Sequence, residues 1–487
     1  MTLTLADPSL LRDALFIGGE WQHPAQCDSL DVVNPATGTV LASVASGRRE
    51  DAIAAIDAAE EALADWSART AKERSTLIRR WHDLIVENVD DLARILTAEQ
   101  GKPIAEARGE ILFGAAFFEW FAEEAKRVYG ETIPAPNSDQ RLLVLRQPVG
   151  VCAAITPWNF PMAMIPRKAA PALAVGCTMV VKPASATPLS ALALAELADR
   201  AGIPPGVFSV VPGAASLIGD ELISNPKVRK VTFTGSTEVG SMLMAKAAGT
   251  IKKVSLELGG NAPVLIFDDA DLDTAVSGAI ASKFRNMGQT CVCANRIYAQ
   301  SGIYEKFVQA LGAAVSELRV GDGAEEGVDQ GPLIDEMAVR KTEEHLQDAL
   351  GQGAKVIVGG SRHELGGCFF EPTVIAGATS DMKVAKEETF GPLAPVVRFE
   401  TEEEAIKLAN DTEFGLAAYF FTRDNARIWR VSESLEYGIV GVNTGIFSYE
   451  GAPFGGWKSS GIGREGSHLG IDEFLEVKYV CVAGISN

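Results

Sequence analysis

A chain of 487 residues is too long for one simple core and predicts two or three domains. Its 64 acidic residues outnumber the 44 basic ones, giving a net charge of −20. That balance argues against nucleic acid or any other polyanion as partner, because phosphate binding rests on clustered Lys and Arg, and it requires local cations wherever an anionic ligand is received.

The segment Met1–Leu15 carries Asp7, Arg12 and Asp13 and lacks the basic start and apolar centre of a signal peptide, and no apolar run reaches membrane-spanning length. A cytoplasmic protein with no membrane partner is expected. The cysteines, at 27, 152, 177, 291, 293, 368 and 481, make no C-x-x-C pair, as in a reducing compartment. His23, His82, His345, His363 and His468 are far apart, so no metal site is expected.

Phe16–Trp21 reads as a hairpin. Helical spacing begins at Glu50, with Ile53, Ile56, Ala59 and Leu63 on one face, and further helical runs continue to Gly130. The aromatic cluster Phe113, Phe117, Phe118, Trp120 and Phe121 reads as core packing. Residues 131–150 form a polar excursion around a lone strand at 141–146. A regular alternation follows: strands at 151–155, 178–182, 207–211, 228–233 and 253–258, with helices at 162–175, 189–201, 215–224 and 237–248. This predicts a mostly parallel sheet with ligand chemistry at the carboxyl ends of its strands. A second α/β alternation begins at Pro263, with strands at 296–299, 355–358, 394–399, 417–421 and 439–442. The tail at 474–482 reads as a strand that can pair with 141–146.

Four strand ends carry polar residues suited to chemistry. Asn159, between Pro157 and Pro161, is held rigidly enough to donate a hydrogen bond to a developing oxyanion, or is a turn Asn. Lys182 and Ser185, after the second strand, offer a cation and a neutral hydroxyl; a carboxylate there would reject a 2′-phosphate, so the pair leans towards NADP, with NAD possible. Gly235, Ser236 and Gly240 form a strand-turn-helix suited to a diphosphate, although not a G-x-G-x-x-G pattern. Glu257, in an apolar strand end, is a candidate general base or a salt-bridged structural residue. The thiol of Cys291 lies among small and polar residues; a buried thiol is inert, and one that is reachable and near a base is a nucleophile. Arg167 and Arg285 adjoin these segments, and guanidinium suits a carboxylate. Cys293 is a candidate redox partner for Cys291, or a small packing residue.

Pro157-Trp158-Asn159, the turn at 235–240, Glu257-Leu258-Gly259-Gly260, Gly288-Gln289-Thr290-Cys291, Glu387-Glu388-Thr389-Phe390-Gly391-Pro392 and Pro453-Phe454-Gly455-Gly456 occur in the order found in the aldehyde dehydrogenase superfamily. Over essentially its whole length the chain resembles that family, and Lys283-Phe284-Arg285-Asn286 with Thr290–Arg296 resembles the branch acting on succinate semialdehyde. The resemblance implies an α/β fold with a Rossmann-like cofactor domain (1–127 and 148–258), a catalytic domain (259–460) and a small β bridging domain (128–147 and 461–487), assembled as a homo-dimer or homo-tetramer. It implies Cys291 as nucleophile, Glu257 as general base and Asn159 with the Cys291 N–H as oxyanion donors. Trp158, Lys182, Ser185, Gly235, Ser236, Gly240, Glu388 and Phe390 map to cofactor contacts. Arg167, Arg285 and Ser448 map to a substrate carboxylate, with Tyr449 bulky for its position and glutarate semialdehyde the close alternative. A cofactor-independent ester hydrolase and a non-catalytic structural relative are the competing classes.

Overall fold

The computed structural model describes residues 3–24 and 28–485; Cys27 lies outside them. Strands Val151–Ile155, Thr178–Lys182, Phe208–Val210, Val228–Thr234 and Lys253–Glu257 are parallel. Across the sheet they stand in the order third, second, first, fourth, fifth. The winding therefore reverses between Val151–Ile155 and Val228–Thr234, which opens a crevice at their carboxyl ends. Thr156–Asn159 and Gly235–Ser236 emerge there. The strand runs Val151-Cys152-Ala153-Ala154 and Met179-Val180-Val181 are wholly buried, as a sheet covered by helices on both faces demands. The hairpin Leu15–Ile17 and Glu20–Gln22 extends one edge, and Gly461–Ile462 pairs antiparallel at the other.

The second sheet runs Lys355–Val358, Thr373–Ala376, Leu393–Phe399, Ala294–Gln300, Ala262–Ile266, Ala417–Phe421 and Ile439–Val442, parallel except at the Lys355–Val358 edge. Thr373–Ala376 has no counterpart among the predicted strands. Between Pro372 and Gly377 it is too short to show an alternating pattern. The chain leaves the carboxyl end of the first sheet at Glu257 and enters the amino end of the second at Ala262, so the two edges meet. Cys291, just ahead of Ala294–Gln300, sits at that junction.

Predicted boundaries shift where side chains intervene. The helix expected over 162–175 begins at Pro166, because Glu110 Oε1 accepts the N–H groups of Met162 (3.0 Å) and Ala163 (3.1 Å) and holds this stretch in turns. The lone strand finds its partner: Arg141–Pro148 pairs antiparallel with Leu475–Val482 along its whole length, and with Glu131–Ile133, in a separate three-stranded sheet. Between Ser460 and Phe474 the chain still belongs to the main body, with Glu465 and Ser467 buried. No helix among the described residues is long and apolar enough to cross a membrane.

Candidate active site

A cavity of about 730 Å³ opens where the two sheets meet. Its wall brings together Trp158, Asn159, Arg167, Gly235, Ser236, Arg285, Cys291, Glu388, Phe390 and Ser448. Five predicted residues, Glu257, Lys182, Ser185, Gly240 and Cys293, lie outside that wall. Glu257 is buried behind Leu258 and Gly259, which do line it. Lys182 ends its strand with Nζ on its own Pro183 carbonyl (2.9 Å), and burial lowers its pKa to about 8. Ser185 Oγ donates to the Gly213 carbonyl at 3.3 Å. Gly240 is where the helix Thr237–Ala247 crosses Leu258, and a Cβ there would lie 2.4 Å from that side chain.

Cys291 is half-buried and open to the cavity. Desolvation pushes its thiol up to about 12, with Arg167 the main opposing influence. The segment before it is contorted: Asn286, Met287 and Gly288 all have left-handed backbone, with φ of 51°, 57° and 75°. Asn159 Nδ2 donates to the Gln289 carbonyl at 2.9 Å. One of its two amide hydrogens is thus fixed, and the other is available to an oxygen in the cavity. Cys293 is buried, with its thiol on the Lys283 carbonyl at 3.2 Å, and both thiols are free.

Glu257 has no hydrogen-bond partner on either carboxylate oxygen among the described residues. Desolvation, then the nearby Glu465 charge, raises its pKa well above the ordinary carboxylate range. Glu465 itself pairs with Lys168, and with Arg167 through Nε at 2.9 Å. Sequence reading missed this buried acid, since nothing in its local pattern distinguishes it from a surface Glu. Arg167 Nη2 is buried without a hydrogen-bond partner, and the guanidinium lies 4.0 Å from the Phe454 ring centroid. Arg285, stacked 5.1 Å from the Phe160 centroid, has no ion pair among the described residues. Ser448 shares its wall. Tyr449 is 58% exposed and outside the cavity, so its bulk does not shorten the site. Phe113, assigned to the core from its spacing, packs against the core and also lines the cavity, while Phe117, Phe118 and Phe121 are buried.

At the other end, Ser236 caps the helix Thr237–Ala247 by accepting the Val239 N–H at 3.3 Å. Glu388 Oε1 accepts the Gly260 N–H at 3.0 Å, and burial raises its pKa to about 7. Phe390, with a φ of 57°, packs edge-on to Trp158 at 5.6 Å. A helix N-terminus, a carboxylate and an aromatic wall leading to a thiol fit a dinucleotide better than a small solute.

Comparison with known proteins agrees with this geometry. A model of the aldehyde dehydrogenase family matches residues 21–480. Curated relatives include NADP(+)-dependent succinate-semialdehyde dehydrogenase of Escherichia coli, 62% identical over 99% of this chain and 100% of that protein. Glutarate-semialdehyde dehydrogenase of Pseudomonas aeruginosa is 61% identical over 99% and 100%. For 3-sulfolactaldehyde dehydrogenase of Pseudomonas putida the figures are 62%, 99% and 99%. The crystal structure of an aldehyde dehydrogenase from Brucella melitensis biovar abortus superposes with a TM-score of 0.98 at 62% identity, covering 99% of each chain. The chain belongs to the aldehyde dehydrogenase family.

Proposed function

We propose that this protein oxidises succinate semialdehyde to succinate with NADP. The observation that carries the reading is one cavity holding a thiol, an amide with a free N–H, and two guanidinium groups with donors to spare. Arg285 and the free Nη2 of Arg167, with Ser448 beside them, suit a terminal carboxylate. The three relatives act on aldehydes that share an anionic group, which supports an anion clamp over an apolar pocket.

The Cys291 thiol gives its proton to solvent water and Sγ attacks the aldehyde carbon; the carbonyl electrons move onto oxygen, to which Asn159 Nδ2 and the Cys291 N–H donate hydrogen bonds. The nicotinamide cofactor, when bound along Gly235, Ser236, Glu388 and Phe390, supplies the hydride acceptor. Glu257 as carboxylate then takes a proton from water, water adds to the acyl carbon, and the C–S bond breaks to release the acid and the Cys291 thiolate. Lys182 and Ser185 favour NADP, since no carboxylate lies between Lys182 and Glu196 to repel a 2′-phosphate.

Glutarate semialdehyde is the second reading, favoured by the placement of Tyr449 outside the cavity. The test is Arg285→Ala with succinate semialdehyde, glutarate semialdehyde and butanal. KM for both acids should rise about tenfold or more, with that for butanal nearly unchanged. An unchanged KM for succinate semialdehyde sinks the clamp.

A further inference from the structure

Asn159 and Cys291, the two sources of oxyanion donors in the proposed reaction, lie on segments far apart in sequence, and one buried side chain ties them together. Asn286 Nδ2 donates to the Asn159 carbonyl at 3.1 Å and to the Gln289 carbonyl at 3.3 Å. The Gln289 carbonyl also receives Asn159 Nδ2. The Asn159 backbone is therefore fixed to the Cys291 loop through its carbonyl, and its side chain is aimed by the same loop.

The direction of the Asn286 amide is set from outside the site. The Lys102 N–H donates to Gln100 Oε1 at 3.1 Å, so Gln100 Nε2 faces Asn286 Oδ1, at 3.0 Å. A backbone N–H cannot be inverted, so each amide in the chain has one allowed orientation. Flipping Asn286 would set its oxygen against two carbonyls and its NH2 against another. Lys102 adds a second tie, with Nζ on the Asn159 carbonyl at 2.8 Å and on Glu110 at 2.5 Å. Gln100, Asn286 and Gln289 are almost fully buried, so water does not replace these bonds. The left-handed backbone at Asn286, which Asn tolerates better than most residues, turns its amide inward.

We infer that Asn286 is a positioning residue for the oxyanion site, and that Gln100 fixes the orientation of its amide. This rests on the reading of Asn159 as an oxyanion donor, and its effect should fall on steps that develop negative oxygen. Small displacements of such donors are costly, because their value lies in preorganisation.

The test compares two reactions of Cys291 that need neither aldehyde nor cofactor. Acylation by 4-nitrophenyl acetate passes through a tetrahedral oxyanion, whereas alkylation by iodoacetamide displaces iodide and develops none. Both are followed by peptide mass at Cys291. Asn286→Gly keeps the left-handed backbone accessible and removes the bridge; Gln100→Met removes only the orienting amide. The expected result is acylation slowed about tenfold or more in Asn286→Gly, and less in Gln100→Met, with alkylation within about twofold of the parent. Acylation within about twofold of the parent in Asn286→Gly, or in Gln100→Met should the first variant not fold, overturns the inference, as do two rates that fall together. A parent that fails to oxidise aldehydes would count against the proposed function and leave this comparison standing.

Discussion

Burial pushes both side chains of the proposed reaction towards their neutral forms. The Cys291 thiol, pushed up to about 12, rests protonated at neutral pH, and the Glu257 carboxyl is raised well above the ordinary carboxylate range, because desolvation penalises thiolate and carboxylate alike. Activity should therefore climb as pH rises from 7 to 9, and a profile falling over that range would contradict the assignment. Glu257→Gln should release about one equivalent of reduced cofactor per site and then stall, with steady-state kcat down about 100-fold or more. Stopped-flow absorbance distinguishes this from a variant with no first turnover. That Cys291, Asn159 and Arg285 share one cavity wall was legible because each sits in a short motif whose neighbours constrain the backbone. The partners Glu465, Gln100 and Lys102 were not, because their roles depend on contacts across the fold.

At the scale of elements, the alternation of strands and helices was readable because buried parallel strands are continuous apolar runs punctuated by turn residues. The helix start expected at 162 was missed because a long-range side chain, Glu110, intervenes at Met162, and the strand Thr373–Ala376 because it is too short to show a pattern. Glu99 makes a similar long-range contact at a helix whose predicted bounds, 189–201, the structure reproduces. It accepts the N–H groups of Leu189 (2.7 Å) and Ser190 (2.8 Å) at the start of the helix Leu189–Ala201, which follows the Lys182–Ser185 turn. Burial raises its pKa from 4.5 to about 8. Below pH 4.5 folded and unfolded chains both hold this proton and the contribution is complete. Above it the unfolded chain releases the proton first, so stability is lost as pH climbs to about 8. Glu388 and Glu257 act with the same sign in both proteins compared, so the difference isolates Glu99. Between pH 5 and 8 the parent Tm should fall about 2–4 °C further than that of Glu99→Gln; equal slopes would exclude the effect.

For the whole molecule, the expected pairing of 141–146 with the tail was correct, and it leaves Leu145, Val477 and Tyr479 exposed on a sheet standing apart from both main layers. Exposed apolar side chains on a sheet of that kind are the reason to propose a covering partner. Sedimentation should give a multiple of 51.7 kDa, and deletion of 475–487 should reduce it; a parent sedimenting as a monomer would refute the bridging assignment. The meeting of one sheet's carboxyl edge with the other's amino edge was not legible, since local pattern carries no relative placement of layers. That meeting is what puts the proposed cofactor cradle and a thiol in one cavity. The most direct measurement is absorbance of reduced cofactor with succinate semialdehyde or butanal and NADP or NAD, for the parent and Cys291→Ala. NADP reduction by the parent should favour the semialdehyde about 100-fold in kcat/KM and vanish in Cys291→Ala while cofactor still binds. Turnover retained without Cys291, or no reduction by a folded parent, would contradict the account.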